Sequence, residues 1–180
     1  AAMRIAPVGI ASDISHPEHF INTVIQACQV THNTSLGIAS AAAVAAVVSS
    51  GINGKKLEHA LNAGTEMAFI AEHHGHWVAG GRIGPRIRWA RQASSECNPD
   101  NLGDLLYDVI GTSVASQESV VTAFALAQRV ASAGLNSFDA LCMAASLGGD
   151  TDTIAAILGA MLGACGGLEL WPAALIEQIT

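Results

Sequence analysis

A chain of 180 residues can bury the core of one domain, and 51% apolar residues supply the material for it. Fifteen acidic residues against eight Lys and Arg give a formal net charge of -7, which argues against a general nucleic-acid binder. Aromatics make up only 4% while Gly and Ala abound, a composition suited to helices whose backbones approach closely.

Taken in order, residues 1–12 contain Pro7 and Gly9 and read as a loop entering an apolar turn. Ser15 is placed to cap a helix with Pro17 in its first turn, running to about residue 30. Phe20, Ile21, Val24, Ile25 and Cys28 mark its apolar face. Thr31-His32-Asn33 breaks the chain before a second helix over 34–50, so poor in polar residues that it belongs at the centre of the fold. An amphipathic helix over 55–73 follows, then a glycine-rich loop over 75–84.

Pro85 opens a helix to about residue 94, and Asn98-Pro99-Asp100 signals a turn. A short helix over 102–109 leads to an extended or looped connection over 110–117. Helices over 118–133, 137–145, 150–164 and 172–179 complete the set, the second of these capped by Ser137. No run alternates with period two, so the expected fold is all-α, a single domain.

Four cysteines (Cys28, Cys97, Cys142, Cys165) share no metal-type spacing, and three sit in apolar contexts. This predicts a reduced, cytoplasmic chain. The longest apolar stretch, 153–168, falls short of the about 20 residues a membrane span needs, and predicts a buried core helix with no membrane partner.

The stretch most loaded with chemistry is Gly148-Gly149-Asp150-Thr151-Asp152-Thr153. Asp150, Asp152 and Thr153 stand at i, i+2 and i+3, where a helix opens. There such spacing can turn two carboxylates and a hydroxyl toward one point, hard donors suited to Mg²⁺, Ca²⁺ or Mn²⁺. On spacing alone the plainer reading is favoured, that the two Asp cap the helix and complement its dipole.

Resemblance shifts that balance. Gly-Gly-Asp-Thr-Asp-Thr with Ile154-Ala155-Ala156-Ile157-Leu158-Gly159-Ala160 resembles the C-terminal signature of the ADP-ribosylglycohydrolase family, which includes the dinitrogenase reductase-activating glycohydrolases and crystallin relatives. Ala1-Ala2-Met3-Arg4-Ile5-Ala6-Pro7-Val8-Gly9, Thr31-His32-Asn33 and Glu118-Ser119-Val120 resemble further stretches of that family in the same order. The resemblance implies an all-helical, compact orthogonal multi-helix domain and two Mg²⁺ ions, with Mn²⁺ as an alternative. It also implies hydrolysis of an N- or O-glycosidic bond to ribose.

It places Asp150, Asp152 and Thr153 at the metals, His32 near substrate phosphates, and Ala1, Ala2 and Met3 in a loop that cradles the ADP-ribose. Family members carry an acidic residue and a Thr-Asp-Asp motif well upstream. The chain is therefore expected to be the C-terminal part of one such domain, with half a metal site and no assigned catalytic acid. Its expected partners are an ADP-ribosylated protein or a smaller ribosyl substrate, and the N-terminal segment of the same protein. A nucleoside N-ribohydrolase and a non-catalytic crystallin-like or ADP-ribose-binding protein remain as alternatives.

Three other features carry plainer readings. Glu72-His73-His74-Gly75-His76 lacks the i, i+4 pair of a zinc site and reads as a solvated helix end. Arg82, Arg86, Arg88 and Arg91 form the one cationic patch of note, read first as a surface helix whose arginine stems cover apolar neighbours. Glu118 and Ser119 are explained by packing and capping at a helix start.

Overall fold

The computed structural model describes residues 1–179, and among them one isolated parallel bridge, Thr34 with His76, is the only strand-like pairing. A 3-10 turn at Ala2–Arg4 leads into α1 (Ala6–Ala11), α2 (Pro17–Cys28), α3 (Ser35–Ile52), α4 (Leu57–Ala71) and α5 (Ile83–Glu96). A second such turn at Pro99–Asn101 and one turn of α-helix, α6 (Leu102–Asp104), run into a π-helical segment at Leu105–Ile110. Then come α7 (Ser116–Ala131), α8 (Ser137–Ser146), α9 (Thr151–Gly166) and α10 (Ala173–Ile179). The fold is all-α.

The helix without a polar face takes the centre. Every residue of α3 from Ser35 to Gly51 is buried, and α1, α2, α4, α7 and α9 all pack on it. Two of its hydroxyls find carbonyl partners inside. Ser40 donates to the Leu36 carbonyl at 2.7 Å, and Ser49 to the Ser12 carbonyl at 2.8 Å. Burying those oxygens unpaired would cost about 1–3 kcal/mol each.

The first residues depart from the expected loop. Pro7 stands in the first turn of α1, where its missing N–H loses no helical bond. Gly9 marks where α1 presses on α3, since a Cβ there would lie 2.5 Å from the Ala45 carbonyl oxygen. Two residues that suggest a break are instead what the helix and its close crossing require.

The second departure concerns α9. Its helical run reaches Leu170 through a 3-10 turn, 20 residues of mean hydropathy 1.7, long enough by length and composition for a membrane span. Only 28% of it is buried, against 89% of the equally apolar α3. Ile154, Ile157, Leu158, Met161 and Leu162 face the core, and Ala156, Gly159, Ala160, Gly163 and Ala164 are left partly or fully exposed. It is a core helix on one face only.

Arginines tie the helices together. Arg91, on α5, donates to Gln128 at 2.7 Å, Thr65 at 3.0 Å, Asn62 at 2.9 Å and Glu58 at 3.0 Å, joining α4, α5 and α7. Burial pushes its pKa down while Glu58 opposes that shift. Arg129 of α7 donates to the carbonyls of Ser94 at 3.1 Å and Cys97 at 3.3 Å, closing the end of α5.

Candidate functional site

The Gly148-Gly149-Asp150 turn is seated by backbone. Asp150 N–H donates to the Thr112 carbonyl at 2.7 Å, and Gly149 lies flat against the same peptide with φ 74°. A Cβ at Gly149 would stand 2.3 Å from that oxygen, so glycine is required both for the turn and for the close approach. The Thr112 segment is held in turn. Glu118, at the start of α7, accepts the Ser113 N–H at 2.8 Å, and Thr122 donates to the Gly111 carbonyl at 2.8 Å. Arg86 donates to the carbonyls of Ile110 at 3.1 Å and Gln117 at 2.9 Å.

Glu118 therefore does more than begin a helix. The Ser113 N–H, with help from Arg86 nearby, holds its carboxyl below the ordinary range. It anchors the loop on which Asp150 rests.

Asp150 occupies the N-cap position of α9, yet its side chain makes no capping hydrogen bond. Neither its carboxylate nor that of Asp152 has a protein hydrogen-bond or ion-pair partner among the described residues. The geometry thus leaves the carboxylates free of the capping bond that spacing alone favoured. Two unneutralised carboxylates and the Thr153 hydroxyl are a donor set that fits a hard divalent ion. No group of three or more His, Cys, Asp or Glu among the described residues is arranged to hold a metal, so further oxygens would be needed. Thr153 Oγ1 lies 3.4 Å from Met3 Sδ, which joins the start of α9 to the opening turn of the chain.

Between them lies a cleft of about 430 Å³. Asp150, Thr153 and Ile157 line it from α9, Gly37 and Ser40 from α3, and Ser116, Ser119 and Val120 from α7. Ala1, Ala2, Met3, Arg4 and His32 close the remaining sides, with Val114. Three long helices point their N-termini at one space. Neither α7 nor α9 has a side-chain cap, so their first N–H groups have no helical acceptor and carry the positive end of the dipole. Such a meeting of N-termini is a setting for anions.

His32 stands on the cleft wall with its ring Nδ1 2.8 Å from Thr31 Oγ1. Arg4 donates to the same hydroxyl at 2.5 Å. Desolvation on the cleft wall holds the His32 pKa below the ordinary value, with a smaller contribution from the Arg4 cation.

Of the seven positions proposed from sequence, Ala1, Ala2, Met3, His32, Asp150 and Thr153 meet at this cleft, drawn from three distant parts of the chain. Asp152 is exposed and stands just outside the lining. Arg4, Ser116 and Ser119 also line the cleft, and the sequence reading gives them no place in it. Arg4 sat inside the quoted motif without a role, and the serines gave no sign that α7 would aim its start at Asp150.

The basic patch and the histidine run are structural. Arg82 pairs with Glu72, Arg88 lies 4.5 Å over the Phe69 ring and reaches Glu66 at 3.3 Å, and Arg86 and Arg91 are committed as above. None of the four lines the cleft. His76 exchanges backbone hydrogen bonds with Asn33 at 3.0 Å and Ser35 at 2.8 Å, so its segment props the turn that carries His32.

Comparison with known proteins gives the family of the chain. A protein of Escherichia coli (strain K12), the uncharacterized protein YegU, is 30% identical over 180 residues, which is 99% of this chain and 53% of that protein. An uncharacterized protein of Archaeoglobus fulgidus is 30% identical over 173 residues, 92% of this chain and 48% of that protein. The chain thus spans about half the length of these relatives. The ADP-ribosylglycohydrolase family matches over residues 1–180, and with its all-helical fold and the cleft that gathers those motifs, the chain belongs to that family of glycohydrolases.

Proposed function

We propose that the protein acts in the hydrolysis of a glycosidic bond to ribose, with an ADP-ribosyl group as the substrate class and Mg²⁺ or Mn²⁺ as cofactor. The observation that carries the reading is the meeting of three helix N-termini, Arg4 and His32 with the unpaired carboxylate of Asp150 in one cleft. A diphosphate wants N–H groups and cations, and ribose hydroxyls beside it want oxygens or a metal. A cleft of about 430 Å³ suits the ribosyl-phosphate portion of such a molecule.

Asp150, Asp152 and Thr153 are the residues that would hold the metal. When bound, the ion supplies positive charge that orients the ribose hydroxyls and a water near the anomeric carbon. The chain's own residues bind and orient. Ala1, Ala2 and Met3 offer a thin wall that permits close approach, and Thr153 holds Met3 in place. The start of α7 and His32 offer hydrogen-bond donors to phosphate oxygens. A carboxyl group must still manage protons for an oxocarbenium-like transition state, and we assign it to the part of the domain that the longer relatives carry beyond this match.

The test compares this chain with the same chain joined to the remaining half of a relative-length protein. ADP-ribosylated arginine and serine peptides, and a plain nucleoside, are assayed with and without Mg²⁺. Metal-dependent release of ADP-ribose by the joined protein is the expected result. Turnover of the nucleoside with none of the peptides would replace this reading with that of an N-ribohydrolase, and binding of ADP-ribose without turnover would make the protein a reader.

A further inference from the structure

We propose that Arg86 and Glu118 are positioning residues for Asp150. By bracketing the segment 110–118 they fix the Thr112 peptide on which α9 begins, and so set where the Asp150 carboxylate meets a divalent ion. The inference deepens the function proposed above and rests on its metal.

Asp150 has little else to fix it. Its carboxylate makes no capping bond, and among the described residues its N–H is tied outside α9 only to the Thr112 carbonyl, at 2.7 Å. Gly148 and Gly149 before it have φ of 89° and 74°, so the chain enters α9 through two residues that bring no side chain to lock the turn. Where the Thr112 carbonyl stands therefore decides where Asp150 stands.

Thr112 is held from both flanks. The Gly111 N–H closes on the Leu106 carbonyl at 3.0 Å, where the helical run stops, and the Ile110 carbonyl is left to an outside donor. Arg86, half-buried on α5, is that donor. Its Nη2 reaches Ile110 at 3.1 Å while its Nε reaches the Gln117 carbonyl at 2.9 Å. One planar guanidinium thus fixes the two ends of the loop relative to each other, which a single ammonium could not do.

Glu118 works from within. Its carboxylate accepts the N–H of Ser113, next to Thr112, at 2.8 Å. It lies over Gly111, whose φ is 96° and whose missing Cβ would strike the carboxylate. Thr122 completes the bracket at the Gly111 carbonyl, at 2.8 Å. Arg82 and Arg88 pair with glutamates at the surface and Arg91 joins α4 to α7, so among the described residues Arg86 is the one arginine of the patch that serves this segment. Neither Arg86 nor Glu118 lines the cleft, and each acts through the backbone between.

The experiment separates the seat of Asp150 from the fold. In the 180-residue chain, amide hydrogen exchange is read at Asp150 and, as a measure of global stability, at Ala43 in the buried middle of α3. Arg86→Ala and Glu118→Ala are expected to speed exchange at Asp150 by about tenfold more than at Ala43. Glu118→Gln keeps an acceptor oxygen for the Ser113 N–H and should recover most of that loss. Equal acceleration at both amides, or none at Asp150, overturns the proposal.

Mn²⁺ is then titrated into the same variants of the chain joined to a relative's other half, and free Mn²⁺ is read by electron paramagnetic resonance. A loss of affinity of about tenfold in both alanine variants, largely restored in Glu118→Gln, supports the positioning role. Wild-type affinity in a variant whose Asp150 amide has loosened overturns it. No Mn²⁺ bound by the wild-type joined protein removes the metal from the proposed function and this inference with it, whereas unchanged exchange at Asp150 removes the inference alone.

Discussion

Asp150 and Asp152 look alike in sequence and are placed differently. The first lines the cleft at the N-cap, while the second is exposed one step away. Neither has a protein partner to lose, so Asp152→Asn should leave the melting temperature within a degree or two, its cost being the helix-dipole contribution of about 0.3–1 kcal/mol. In a relative-length protein the same change should abolish metal-dependent hydrolysis. Near-normal turnover at saturating Mg²⁺ would reduce Asp152 to a dipole partner. Arg86→Ala should behave in the opposite way. It removes two charge-assisted hydrogen bonds to Ile110 and Gln117, at about 1–3 kcal/mol of stability, and its effect on ligands should be the same for nucleoside and diphosphate. A selective loss of ADP-ribose binding in a variant of unchanged stability would return Arg86 to the site. Sequence could show that arginines cluster there. It could not show that each was already engaged, because their partners are carbonyls and side chains far away along the chain.

The elements were legible in proportion to their periodicity. The burial of α3 could be read from its lack of any polar face, whereas α1 was hidden because Pro and Gly carry the same symbol in a loop and in a tight helix crossing. The π-helical segment ending at Ile110 was invisible, since i to i+5 bonding leaves no separate pattern over six residues. Yet that segment and the loop after it seat Asp150, through Glu118 and Ser113. Because the folded-state pKa of Glu118 is depressed, its contribution is fully present above the ordinary carboxylate value and is lost as pH falls through the folded one. Glu118→Gln should therefore cost about 1 kcal/mol near neutrality and flatten the acid side of the stability curve. Denaturant melts at several pH values check this, and an unchanged acid limb would remove the brace. Gly149→Ala should be costlier in the same melts, as the left-handed backbone and the Thr112 carbonyl both resist a methyl group.

Across the molecule, the motifs that lie 31, 118 and 150 residues along the chain converge because α3, α7 and α9 start at the same place. Order along the chain carries no distance, so the cleft itself was beyond reading from residues alone, though six of its lining residues were not. Two further facts stand side by side: the chain spans about half the length of its relatives, and the apolar run of α9 is only 28% buried. A relative-length protein is expected to supply the remaining metal ligands beside Asp150 and Thr153 and to cover part of α9. Mg²⁺ takes six oxygens in a near-octahedral shell, and two carboxylates with one hydroxyl provide only part of it. Calorimetry should thus find weak or no Mg²⁺ binding to the 180-residue chain and one or two ions bound when it is joined to a relative's other half. Hydrogen exchange should slow along α9 in the joined protein at the same time. Tight binding by the 180 residues alone would show that water completes the shell, and slow exchange without metal binding would separate the cover over α9 from the site at its start.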